Sequence, residues 1–260
     1  MPRATINGIK LYYEVHGSAP GPWLTFSNSL RTDHTMWAPQ TREFSRDHRV
    51  LLYDVRGHGM SEKSEGFYSA DLLARDVTGL WDHLGIKKSH FCGLSLGGMT
   101  GMHMGMHFAD RLDKLIVCDC RGDSPPEWIE SWKKRREGVI AKGMESVVEE
   151  TLKTWFPPAY LEKNRDFVAQ VGRTVAETSQ EGYFGCSGML CELTLAQNIK
   201  KIKVPTLFVC GSADGPHPEL MKAMHEGLSG SKFALLEGGT HVANLTAEKE
   251  FNAVVRKFLT

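Results

Sequence analysis

Six short runs in this chain are apolar through most of their length rather than at every second residue: Trp23–Phe26, Val50–Tyr53, His90–Leu94, Leu115–Cys118, Thr206–Cys210 and Phe233–Leu236. A strand without alternation has to be covered on both faces, which is the condition of a strand inside a parallel sheet. Stretches with helical spacing separate the runs. Tyr68–Leu84 is one, ending at Gly85; the Met- and Gly-rich Ser95–Phe108 is another, and Ala247–Leu259 is a closing helix. Alternation of this kind predicts an α/β fold: a mostly parallel central sheet with helices on both faces. The opening stretch Ala4–His16, with Asn7-Gly8 in its middle, predicts a hairpin through a tight turn. A chain of 260 residues, 41% hydrophobic, can bury one full core of this type.

The rhythm breaks after Gly122. From there to about Ile199 no buried strand is evident, only Pro125-Pro126, Pro157-Pro158 and helical sequence between and after them. This predicts a helical cap over residues 122–198, inserted into a core made of residues 1–121 and 199–260. The charge run Lys133–Arg136 fits a solvated helix face of that cap. Strand pattern resumes at Lys203-Val204-Pro205.

Charge narrows the function classes. Lys plus Arg number 31 and Asp plus Glu number 31, so nothing draws the chain toward nucleic acid or an anionic membrane surface. No window has the length of an apolar membrane span, and the first residues lack a signal-peptide core, which argues for a cytoplasmic location. The six cysteines form no CxxC pair and fall mainly in strands, where a thiol acts as a small hydrophobe. Oligomeric state is not legible.

Gly93-Leu94-Ser95-Leu96-Gly97 follows a predicted strand and opens a predicted helix. In that context G-x-S-x-G is a nucleophile elbow: the sharp turn lifts the serine hydroxyl above the strand ends, and the glycines give the turn room. It also leaves the Leu96 N–H at a helix N-terminus, aimed at negative charge. A serine needs a base. Of eleven histidines, only His241 stands in a glycine-rich loop just after the last strand, Gly238-Gly239-Thr240-His241. The base needs an orienting acid, and Asp214 follows the strand Thr206–Cys210. Asp119 or Asp123, after the strand Leu115–Cys118, is the rival acid. A second oxyanion donor is expected in the loop Ser27-Asn28-Ser29-Leu30-Arg31, at the Leu30 N–H.

These strings resemble the α/β-hydrolases over the whole chain, and among them the 3-oxoadipate enol-lactonases. SNSL followed by MW, the turn Asp54-Val55-Arg56-Gly57-His58-Gly59, GLSLGGMTGM, Glu181-Gly182-Tyr183-Phe184-Gly185-Cys186 and PTLFVCGSAD carry the likeness. The resemblance implies a triad of Ser95, Asp214 and His241, with Leu30 and Leu96 as oxyanion donors. It implies hydrolysis of a small ester or lactone bearing a carboxylate, through an acyl-enzyme, with no metal or organic cofactor. Two segments depart from the pattern. Arg31 stands where a glycine is expected, and Cys118-Asp119-Cys120-Arg121-Gly122-Asp123 replaces a small, neutral stretch. Arg31 and Arg121 are therefore candidate carboxylate binders, since a guanidinium offers paired N–H donors. Trp132, one of three tryptophans in the cap with Trp128 and Trp155, is the candidate for the pocket wall. The same triad also serves carbon–carbon bond or amide hydrolysis, and a ligand receptor on this fold is the alternative of another class. His103-x-x-x-His107 has the spacing of a zinc pair but lacks the glutamate, and packing behind the elbow helix explains it.

Overall fold

A computed structural model describes residues 2–17 and 20–260. Eight strands form one sheet: β1 (Arg3–Ile6), β2 (Ile9–His16), β3 (Trp23–Ser27), β4 (Arg49–Tyr53), β5 (Ser89–Leu94), β6 (Leu112–Cys118), β7 (Thr206–Gly211) and β8 (Lys232–Leu236). Their spatial order is β1-β2-β4-β3-β5-β6-β7-β8. β1 and β2 pair antiparallel through the Asn7-Gly8 turn, whose positive φ values of 44° and 80° suit a two-residue hairpin. β2 also runs antiparallel to β4, and every pairing from β4 through β3 to β8 is parallel.

The strands separate two cores. Leu51, Phe91 and Phe208 face one side, while their neighbours Val50, Leu52, Cys92, Leu207 and Val209 face the other. Period-two side-chain geometry sends consecutive residues to opposite faces, so both must be apolar. Helices supply the covers: α1 (Ala38–Phe44), α2 (Ala70–His83), α3 (Leu96–His107), α9 (His217–Gly227), α10 (Ala243–Thr246) and α11 (Glu248–Leu259). Trp37, Phe44 and Phe251 fill one side; Trp81 of α2 packs with Phe91 on the other. α2 is capped by Ser69, whose hydroxyl accepts from the Leu72 N–H.

Between β6 and β7 the chain forms α4 (Pro126–Lys142), α5 (Val148–Trp155), α6 (Pro158–Lys163), α7 (Arg165–Glu177) and α8 (Gln180–Met189). Prolines at the first turns of α4 and α6 start those helices, where a missing N–H costs nothing. The one β contact in this stretch is an isolated bridge between Asp123 and Thr194. α8 docks on the turn after β4. Ser179 Oγ donates to the Gly57 carbonyl at 2.8 Å, and a Cβ on Gly57 would stand 2.4 Å from the Gly182 Cα. The RGHG and EGYFGC strings are thus two halves of one contact. Arg56 in that turn is buried and paired with Asp76 at 2.7 Å and 2.8 Å.

All six cysteines are free thiols. His103 and His107 stack on each other along α3. No helix among the described residues is long and apolar enough to cross a membrane.

Candidate active site

In an open parallel sheet the loops at the carboxyl ends of the strands surround a common crevice. Here β3, β5, β6, β7 and β8 bring Leu30, Ser95, Asp119, Asp214 and His241 to that end. Ser95 sits between β5 and α3 with φ 54° and ψ −111°. A non-glycine residue at such an angle is strained, and the surroundings hold it there. The Ser95 N–H donates to the Cys118 carbonyl at 2.8 Å. The turn closes so tightly that a Cβ on Gly93 would lie 2.1 Å from the Gly97 carbonyl oxygen, and one on Gly97 2.2 Å from that of Ser27. Any side chain at either position would force the elbow open.

His241 Nδ1 lies 3.0 Å from Asp214 Oδ2 and 3.2 Å from Oδ1. Burial works against ionisation of Asp214, but the rings of His241 and His217 outweigh it and hold this carboxyl well below the usual carboxylate range. Asp119 is different. It is fully buried, its Oδ1 accepts from the Gly211 N–H at 2.8 Å, and its Oδ2 has no partner. Burial and the neighbouring Asp214 charge push it well above the usual range. Asp214, not Asp119 or Asp123, is the carboxylate that lies against the His241 ring. Ser95 and His241 line the same cavity but form no hydrogen bond in this structure; such bonds tighten when substrate is bound.

The Leu96 N–H heads α3, in the first turn, where a helix leaves its donors unpaired. The loop after β3 is built around the Ser29 carbonyl, which accepts from the Thr32 N–H and hydroxyl, while the Leu30 N–H bonds to no protein acceptor. Leu30 and Ser95 line one cavity, and Leu96 follows Ser95 directly in the chain.

The cavity measures about 430 Å³ and is lined by Ser29, Leu30, Arg31, Ser95, Trp128, Trp132, Trp155, Asp214, His217 and His241, among others. That size suits a small metabolite. Arg31 has φ 70°, which explains why glycine is the expected residue there. Its Nη1 donates to Thr151 Oγ1 at 2.6 Å, its Nε is buried without a partner, and it lies over the Trp155 ring at 5.5 Å. Burial pulls this guanidinium down to about 10, so it is still charged at neutral pH. The Trp132 Nε1 and the Tyr183 hydroxyl are also buried without partners, and their rings stand 6.2 Å apart. Arg135, at the same cavity, is already matched by Glu150 at 2.8 Å.

Arg121 requires a correction. It does not line the cavity. Its Nε and Nη2 donate to Asp123 at 3.0 Å and 2.8 Å, and it stacks over Trp128 at 4.6 Å. Its charge is already paired with the Asp123 carboxylate two residues on, unlike that of Arg31. Sequence reasoning also passed over His217, Thr151 and Tyr183. For His217 a signal existed: it stands three residues after Asp214, at the start of a helix.

The ligand atoms of Asp214, His217 and His241, and those of Asp119, Cys210 and Asp214, lie within metal-binding distance of each other. Both groups include Asp214, which two imidazoles already engage, and a cation there would displace the bond that orients His241.

A strained serine elbow and an imidazole on a buried carboxylate share one cavity at the carboxyl ends of an α/β sheet. Residues 15–254 match the alpha/beta hydrolase family, and the chain belongs to it. It is 32% identical over 260 residues to 3-oxoadipate enol-lactonase 2 of Acinetobacter baylyi, covering 98% of this chain and 96% of that one. The crystal structure of the enol-lactonase from Burkholderia xenovorans LB400 superposes with a TM-score of 0.94 at 34% identity, covering 99% of both chains. A thermophilic esterase from Thermogutta terrifontis, solved with malate bound, superposes at 0.91 with 25% identity, covering 99% of this chain and 97% of that one.

Proposed function

We propose that this protein hydrolyses the ester or lactone bond of a small carboxylate-bearing metabolite, with 3-oxoadipate enol-lactone or a close relative as substrate. The observation that carries the reading is the joining of Ser95, His241–Asp214 and the free Arg31 donors in one cavity. The enol-lactonase relatives support the lactone, and the similar esterase solved with malate bound is consistent with a carboxylate-bearing ligand. Helices α4–α8 serve as the cap: Trp128, Trp132, Thr151 and Trp155 close the cavity from that side.

In this scheme Ser95 Oγ attacks the carbonyl carbon while His241 Nε2 takes its proton. Asp214 holds the ring by Nδ1 and balances the imidazolium that forms. The carbonyl oxygen becomes an oxyanion between the N–H groups of Leu30 and Leu96, donors already in place and needing no reorganisation. Collapse expels the enolate or alkoxide, which takes the proton from His241. Water, deprotonated by the same ring, then attacks the acyl-enzyme, and Ser95 leaves as the hydroxyl. No metal or organic cofactor enters these steps. The substrate carboxylate meets Arg31, whose unpaired buried charge gains more from an anion than a solvated arginine would.

Ring opening of 3-oxoadipate enol-lactone by the wild type and by Ser95→Ala is the test. Turnover in the wild type and its loss by at least about a thousandfold in the variant is expected. Folded wild type that leaves the lactone intact would remove that substrate; turnover surviving in Ser95→Ala would remove the nucleophile.

A further inference from the structure

Asp214 carries two histidines, not one. His217 opens α9, and its backbone N–H donates to the Asp214 carbonyl at 3.0 Å. Its ring Nδ1 lies 3.1 Å from Asp214 Oδ2, the same oxygen that His241 Nδ1 approaches at 3.0 Å. The two rings are 5.2 Å apart, tilted by 47°, and both line the cavity that holds Ser95. The His217 Nδ1 also bonds to the Asp214 backbone carbonyl at 3.1 Å, so in both rings Nδ1 faces acceptors, the proton of the neutral form sits there, and Nε2 is left as an acceptor. In the reaction proposed above the His241 Nε2 serves Ser95. No protein group is bonded to the His217 Nε2 among the described residues.

One carboxylate balances one imidazolium. His241 becomes positive in each half of the reaction, and Asp214 is the carboxylate that holds its ring. Arg31 and Arg135, which line the same cavity, add positive charge, with Glu150 paired to Arg135. The unbonded His217 Nε2 is the acceptor that this group of rings offers to the cavity. Its place is chemically defined as well: the leaving group is protonated by His241, so it lies beside that ring, and His217 is the ring's neighbour.

Building on the hydrolytic reading above, we propose that His217 is a specificity-determining residue, anchored on Asp214 through Nδ1 and accepting through Nε2 a hydrogen bond from a hydroxyl or N–H on the leaving-group side of the substrate. The preferred class is then an ester or lactone whose leaving portion carries a hydrogen-bond donor.

Two succinate monoesters test this, since both present a carboxylate to Arg31. One has a 2-hydroxyethyl and the other a 2-methoxyethyl leaving group, so they differ only in the donor. Wild type should favour the hydroxyethyl ester in kcat/KM by about tenfold, the scale of one good hydrogen bond. In His217→Asn the ratio should fall to about one. Asparagine keeps an N–H for Asp214 but removes the distal acceptor, so loss of the ratio reports substrate contact rather than a disturbed triad. His217→Phe should give the same ratio, with its melting curve showing that it folds. A wild type with no preference, or a preference kept in His217→Asn, would overturn the proposal alone. Folded wild type that cleaves neither ester would overturn it together with the hydrolytic reading for carboxylate esters.

Discussion

Arg31 Nη1 donates to Thr151 Oγ1 at 2.6 Å and so ties the loop after β3 to α5, across 120 residues of chain. The bond holds a charged group in the cavity on a backbone at φ 70°, a conformation that costs a residue with a Cβ about 1–2 kcal/mol. Strain kept beside a reactive serine points to use. Arg31→Gly should melt no lower than wild type, because relief of strain and loss of a buried charge offset the missing hydrogen bond. The same variant should lose discrimination between monomethyl succinate and neutral methyl butyrate by about ten- to a hundredfold, in line with a charge-assisted bond. Equal discrimination in both proteins would show that Arg31 does not meet the carboxylate.

The choice between two acids is open to a direct comparison. Asp214→Asn should lower kcat by about ten thousandfold while leaving the fold intact, since the amide favours the wrong imidazole tautomer. Asp119→Asn should keep kcat within about tenfold, because Asp119 does not contact His241 and an amide oxygen can still accept from the Gly211 N–H. Steady-state kinetics of the two variants decide it, and the reverse ranking would move the acid to the end of β6.

Asp119 also makes a stability prediction. Unfolded, it loses its proton near pH 4; folded, burial and the Asp214 charge keep the proton on to much higher pH. Above about pH 4 the native state thus binds more protons than the unfolded chain, and this residue's contribution to stability falls as pH rises. Asparagine cannot ionise. The melting temperature of Asp119→Asn should therefore gain on wild type between pH 5 and pH 8. Parallel curves over that range would place a counter-charge near Asp119.

The Arg56–Asp76 pair is buried, with side chains 3% and 2% exposed. Removing one partner strands the other charge. Arg56→Met should cost about 3–5 kcal/mol by denaturant unfolding. Below the transition the surviving native protein should keep a wild-type kcat, as the pair lies outside the cavity. A cost under 1 kcal/mol would mean that water reaches Asp76.

Much of the sheet could be read because its information is local. The run Thr206–Cys210 lengthens by only one residue in β7, Val50–Tyr53 begins one residue earlier in β4, and Asn7-Gly8 makes the expected turn. Burial on both faces keeps a strand largely apolar, with only small or hydrogen-bonded polar residues such as Thr25 and Ser27, and that shows in any short window. The elbow is local for the same reason: Gly93 and Gly97 are needed within four residues of each other. β6 was read short because Lys114 and Asp113 interrupt its apolar pattern at the strand's start.

The cavity was legible only in part. Sequence alone put Ser95, Asp214 and His241 in loops after three of the predicted strands, and strand connectivity brings such loops to one end of the sheet. It also marked Arg31 and Arg121 as unusual, but not which guanidinium was free. That depended on Asp123 folding back onto Arg121 while Arg31 reached Thr151 and no carboxylate. His217, Trp132 and Tyr183 likewise take their meaning from partners they have or lack in space. Backbone preference and hydrophobic period are properties of neighbours in the chain, so the sequence by itself determined the strands, the elbow and the order of the reactive groups. The pairing of a buried donor or charge is set by residues tens to hundreds of positions away, and only the tertiary structure decided it.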